Sequence, residues 1–154
     1  MNSARDLKPE DPCFADRVRD SFHKQDALLT IGAAIQQVEP GRVEIGFEYD
    51  QRLTQQHGFI HAGILSTVLD SACGYAAYSL MPADAGVLTV EFKINLLSPA
   101  KGERFVALGE VKKPGRTITV AEGHMFAWNG EQRKLIATMT GTLMTITGRN
   151  EVSG

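Results

Sequence analysis

The sequence is poor in cysteine, in long apolar runs and in excess charge of either sign. Two cysteines, Cys13 and Cys73, stand in 154 residues. That is too few for a disulfide framework or a cysteine zinc site, and both are read as unpaired thiols. No stretch reaches the roughly 18 uninterrupted apolar residues of a membrane span, and the N-terminal MNSARDLKPEDPCFADRVRDSFHKQ lacks the apolar centre of a secretory signal. A cytoplasmic protein with no membrane partner is therefore expected. Lys and Arg number 16 against 18 Asp and Glu, a formal net charge of -2, so the diffuse attraction that draws a protein to nucleic acid is missing.

What is present suits one folded domain. Hydrophobic residues make up 43% and charged residues 22%, an ordinary globular balance, and the length allows one sizeable core. Phe14, Val18 and Phe22 recur every four residues, predicting a short amphipathic helix. From Thr30 to Tyr49 apolar residues alternate on both sides of Pro40-Gly41, predicting a β-hairpin. A long helix is expected over residues 61–81, stopped by Pro82. Four alternating segments follow, GVLTVEFKINLL, RFVALGEVKK, RTITVAEGHMFAWN and KLIATMTGTLMTI, separated by Pro- and Gly-containing turns and read as a meander. The expected organisation is an N-terminal segment over 1–27 with a short helix, a domain over 28–147, and a frayed tail over 148–154. Its class is α+β, one antiparallel sheet of about six strands curled around one long helix.

The most informative absence lies between Leu53 and Ala83, where Asp70 is the sole Asp, Glu, Lys or Arg. A helix so nearly free of charge is one buried almost all round. Leu65, Val68, Leu69, Ala72, Cys73, Ala76, Ala77 and Leu80 form its apolar stripe. Asp70 lies off that stripe among Gly63, Ser66, Thr67, Ser71 and Gly74, small residues that permit close approach of a ligand or a partner. A carboxylate there must be paired, hydrogen-bonded or reached by solvent. Local sequence alone leaves a solvated or salt-bridged Asp70 and a reactive one equally open.

The lead-in to the helix shifts the balance. Gln55-Gln56-His57-Gly58-Phe59-Ile60-His61-Ala62-Gly63 places an amide, two imidazoles and unpaired backbone N–H groups at the positive end of the helix dipole. Such groups suit an acyl oxygen gaining negative charge, and a carboxylate two turns further on suits water activation or direct attack.

With Gln55, Gly58, His61-Ala62-Gly63 and Asp70 nine positions after His61, followed by GVLTVEFKINLLSPAKGE, the chain resembles the hotdog-fold thioesterases, in particular the phenylacetate-degradation and hydroxybenzoyl-CoA types. The resemblance spans residues 28–146. It implies six strands wrapped around the long helix, dimers joined sheet to sheet with paired sites at the interface, and tetramers of such dimers. It implies an acyl-CoA substrate with an aryl or medium-chain acyl group, and neither metal nor bound cofactor, coenzyme A arriving as part of the substrate. Asp70 becomes the general base or nucleophile, the Ala62 N–H the oxyanion donor, and Gln55 the group orienting water or acyl. Thr89 of the opposite subunit becomes a water-placing hydroxyl, and His61, Gly63 and Gly74 line the substrate. Lys113 and Arg116 fall where the family holds the nucleotide part of coenzyme A, and both suit phosphate. Ala62 departs from the family's glycine; a backbone N–H serves with either residue, while the added methyl bears on acyl preference.

Other features have plainer explanations. His57 and His61 are four apart but complete no zinc motif. A hydrogen-bonded His61 fixing the helix start accounts for it better. Trp128 reads as a strand-end packing residue, His124 has no evident partner, and Tyr75 and Tyr78 fit either an acyl tunnel or helix packing. Two rival functions remain: a non-catalytic acyl-CoA-binding hotdog protein, and a hotdog enoyl-CoA hydratase or dehydratase.

Overall fold

The every-fourth-residue pattern near the start becomes α1 (Phe14–Phe22), which buries Val18 and Phe22 against the core. The computed structural model describes residues 6–154. Next comes α2 (Asp26–Ile31), where the alternation suggests the beginning of a strand. Leu28 and Ile31, three apart, bury one side of this turn and a half, and Gly32 at φ 77° closes it with its N–H on the Leu29 carbonyl at 3.0 Å. A helix therefore crosses the boundary expected near residue 27. The hairpin follows as β1 (Ala34–Glu39) and β2 (Arg42–Glu48), turning at Pro40-Gly41 as expected.

The long helix is α3 (Ala62–Tyr78), buried continuously from Ser71 to Tyr78. It ends three residues short of the expected 81. Past Tyr78 the chain tightens into shorter turns, with the Leu80 N–H on the Ala77 carbonyl (3.1 Å) and the Met81 N–H on the Tyr78 carbonyl (3.0 Å), and Arg17 of α1 holds this exit, its guanidinium donating to the carbonyls of Tyr78 (3.1 Å), Met81 (2.9 Å) and Pro82. The same guanidinium lies 4.4 Å from the Tyr78 ring centre and pairs with Asp11 at 3.2 Å. A cation at the negative end of a helix is favourable.

The four later segments form β3 (Gly86–Leu96), β4 (Arg104–Lys113), β5 (Ile118–Asn129) and β6 (Gln132–Ile146). All pairings are antiparallel, in the order β1-β2-β4-β5-β6-β3. Only β4, β5 and β6 are a meander. The expected fourth member, β3, crosses to the far edge and pairs with β6, because β4 is taken by β2, where Phe105 stacks on Phe47 at 5.1 Å between ring centres. The sheet curves around α3. Gly109 and Gly123 let the helix sit close: a Cβ at 109 would collide with the Ala72 backbone, and one at 123 would lie 2.9 Å from Leu69 Cδ2.

Two features bear on the site. The outer edge β3, unpaired on its far side, leaves Leu88, Val90 and Phe92 exposed by 48, 54 and 41%, interleaved with exposed Glu91 and Lys93. The tail expected to fray instead makes a 3-10 turn over Asn150–Val152 and lies on the body of the protein, where Lys24 Nζ donates to the Gly154 carbonyl at 2.8 Å. No helix among the described residues is long and apolar enough to cross a membrane.

Candidate active site

Asp70 projects from the middle of α3 toward the start of β3. There Thr89 Oγ1 donates to Asp70 Oδ1 at 2.7 Å. A bulge between Thr89 and Glu91 shifts the β3 register at this point, a device that re-aims a side chain from a strand. The family resemblance places this hydroxyl on the opposite subunit; the structure pairs Thr89 with Asp70 of the same chain. Partial burial holds the Asp70 carboxyl above the usual carboxylate range, and the Thr89 hydrogen bond opposes part of that rise.

The carboxylate opens onto a cleft of about 390 Å³ whose walls include Gly74, Tyr75, Tyr78, Val87 and Thr89. That size and mixed lining are typical of a small-molecule site. Nothing lies within 4 Å of where a Cβ on Gly74 would be, so this glycine leaves room in the cleft. Tyr75 and Tyr78 are walls of it. The Tyr75 hydroxyl accepts from Gln25 Nε2 at 2.7 Å and lies 3.1 Å from Ser21 Oγ, which ties the cleft to α1. Burial pushes both phenols upward. Ser21, Lys24, Gln25 and the tail residues Glu151–Gly154 also line this cleft, and sequence reasoning finds none of them. Only chain folding brings these distant segments to α3, and no local motif marks them.

The start of α3 forms a second centre. His61 is the N-cap residue, its Nδ1 accepting from the Gly63 N–H at 2.8 Å. The imidazole thus fixes the helix start, and the Gly63 N–H is spent there. The Ala62 N–H finds no acceptor among the described residues. Gln55 lies in the preceding turn, which needs Gly58 at φ 82° and is pinned by a Thr54–Ile60 bridge and by the Ile60 N–H on the Ala100 carbonyl at 3.1 Å. Gln55, His61, Ala62 and the β3–β4 connection from Leu97 to Ala100 surround a second cleft of about 480 Å³. His57 stands outside α3 in that turn, its N–H donating to Gln55 Oε1. No three His, Cys, Asp or Glu side chains gather around a metal position among the described residues.

One chain does not bring the two centres together. Eight residues of α3 separate Ala62 from Asp70, a rise of about 12 Å. No single carbonyl carbon can lie beside both. Lys113 and Arg116 line neither cleft; both are exposed at the β4–β5 hairpin. Trp128 carries Arg104 over its ring at 4.3 Å, and His124 stacks on Phe126 with ring centres 6.5 Å apart, so both are packing residues of the sheet. Cys73 is buried against the sheet, its thiol pushed up to about 12 first by burial and then by Asp70 and Glu122, which leaves it inert.

Comparison with known proteins gives the class. The sequence pattern of the thioesterase superfamily matches residues 57–134. A thioesterase family protein of Silicibacter pomeroyi, known by crystal structure, is 59% identical, with a TM-score of 0.86 over 88% of this chain and 99% of that one. The PaaI protein from the phenylacetic acid degradation operon of Escherichia coli shares the fold at 19% identity, with a TM-score of 0.79 over 88% of this chain and 94% of that one. A Saccharolobus solfataricus protein named as a candidate esterase is 32% identical over 114 residues, 73% of this chain and 79% of its own length. The chain belongs to the thioesterase superfamily, and its six antiparallel strands around one long helix are the hotdog fold.

Proposed function

We propose that this protein is a cytoplasmic acyl-CoA thioesterase acting on aryl or medium-chain acyl groups. The observation that carries the proposal is the half-buried Asp70 carboxylate, held by Thr89 at the mouth of a partly apolar cleft in a chain of this superfamily. In the reaction, Asp70 takes a proton from water as the water oxygen bonds to the thioester carbon. The carbonyl electrons move onto oxygen, then return and expel the coenzyme A thiolate, which receives the proton. Direct attack by the carboxylate gives the same products through an anhydride. Thr89 holds the carboxylate in place, and Gln55 orients the water or the acyl group. Neither route calls for a metal or bound cofactor.

The developing oxyanion needs a donor, and the Ala62 N–H of the same chain is about 12 Å of helix away. We assign that donor to a second copy. Two β3 edges joined side by side would cover Leu88, Val90 and Phe92 and set the α3 start of one subunit, with its Gln55, against Asp70 of the other. Lys113 and Arg116 then serve the phosphates of coenzyme A, His61 and Gly63 border the thioester, and pairs of dimers form the tetramer.

Thiol release from a panel of aryl and medium-chain acyl-CoAs tests the proposal. Turnover by the wild type and its loss in Asp70→Asn are expected. Saturable binding without turnover would make the protein a binder, and hydration of an enoyl-CoA in its place would make it a hydratase.

A further inference from the structure

The C-terminal segment shares the Asp70 cleft although nothing in the mechanism uses it. Glu151, Val152, Ser153 and Gly154 line the cleft at the end away from the start of α3, beyond Tyr75 and Tyr78. Their position rests on shape rather than on hydrogen bonds. Val152 N–H donates to the Arg149 carbonyl and Ser153 Oγ to the Asn150 carbonyl, both inside the segment. Among the described residues, Lys24 Nζ on the Gly154 carbonyl is the one hydrogen bond tying residues 149–154 to the rest of the fold. The shape complement is at Gly86, the first residue of β3, where a Cβ would collide with the Val152 carbonyl. Gly74 and Gly86 thus serve opposite ends: absence of a side chain at 74 leaves space, and absence of one at 86 lets the tail fill it.

We propose that residues 150–154 are the end wall of the acyl cleft and set the longest acyl chain the protein accepts, an inference resting on the thioesterase proposal above. The cleft follows α3 from Asp70 past Gly74 to Tyr78, eight residues or about 12 Å. A chain seated with its thioester at Asp70 lies over Gly74, runs between the two tyrosines and Val87, and stops at Val152. Further methylenes meet the tail and gain no burial. Because Lys24 supplies the one polar tie among the described residues, the wall is removable without disturbing α3 or Asp70.

The test separates binding from hydrolysis. S-alkyl-CoA thioethers from butyl to hexadecyl, which cannot be hydrolysed, are titrated calorimetrically into the full chain, and acyl-CoAs of the same lengths are assayed for thiol release. For the wild type, affinity rises by about fourfold for each methylene that is newly buried and levels off at a limiting length. In Gly86→Val, whose side chain displaces the Val152 carbonyl, and in Lys24→Ser, which removes the tie to the tail and adds no apolar surface to the cleft, the rise continues to longer chains. Lys24→Ser changes an exposed side chain, so it keeps the test open should Gly86→Val fail to fold, which circular dichroism reads. The same limiting length in wild type and folded variants overturns the proposal, as does the absence of any levelling, or of any binding, in the wild type. Binding that shows the length limit without thiol release leaves the wall standing and refutes hydrolysis alone.

Discussion

Thr89 Oγ1 and Asp70 Oδ1 meet at 2.7 Å across the seam between an edge strand and the buried helix. A hydroxyl donor stabilises the charged form of a carboxylate, while partial burial favours the neutral form. Burial is the larger effect here, so Asp70 ionises at a higher pH than a free side chain and is a better base once ionised.

Asp70→Asn is expected to lower thiol release by about 10²–10⁴-fold, the usual contribution of a positioned base. Thr89→Val removes the donor that favours the carboxylate, so the carboxyl moves further up. The acid limb of kcat/KM against pH is expected to shift to higher pH, with activity near the alkaline plateau reduced less than at about pH 6. An unmoved acid limb would show that Asp70 is not the group titrating.

Asp70 also bears on stability. Its folded carboxyl binds a proton more tightly than the unfolded one, so unfolding releases protons and stability falls as pH rises from the unfolded value through the folded one. Above that window the full cost of the partly buried charge remains. Asp70→Asn removes this cost and is expected to have a higher Tm than wild type at about pH 7, with the difference shrinking toward about pH 4, read by thermal scans at the two values. A gain of stability with loss of turnover is the signature of a functional charge.

Val90→Lys tests whether the exposed edge is an interface. A lysine at the exposed Val90, in the bulge of the β3 edge, opposes pairing with a second copy. Analytical ultracentrifugation is expected to show a smaller species, and thiol release is expected to fall with it, since Asp70 then has no Ala62 N–H opposite. A monomeric variant with full turnover would refute the shared site.

Arg17→Ala removes the donors to the carbonyls of Tyr78, Met81 and Pro82, at and just beyond the end of α3, and the cation from the Tyr78 face. Hydrogen bonds to charged groups contribute about 1.5–3 kcal/mol, and a loss of that order is expected in urea unfolding. Arg17→Lys keeps the positive charge but not the fork that spans three carbonyls, so its stability is expected to fall between those of the wild type and Arg17→Ala.

Much of this molecule is open to reading from one chain because the signals are local. Asp70 stands out since its surroundings carry no other charge, and His61 and Ala62 since a cap and a free N–H are properties of a helix start. The hairpin turn at Pro40-Gly41 and the α1 face follow from residue spacing. Errors fall where local and distant demands compete. Leu28 to Ile31 alternate weakly enough to suit a strand, and burial of Leu28 and Ile31 on one side decides for α2. The tail has no hydrophobic period, yet Gly86 receives it.

The sequence by itself determined α1, the hairpin, the buried helix with its single carboxylate, and the free N–H at that helix's start, because periodicity, capping and charge depletion act within a few residues. Tertiary structure alone decided that β3 takes the outer edge, that Thr89 reaches Asp70 from its own chain, and that α1 and the tail enclose the cleft. Those outcomes depend on which strand edge is free and which surfaces fit after the sheet has closed on α3, and such long-range complementarity leaves no mark in any one segment.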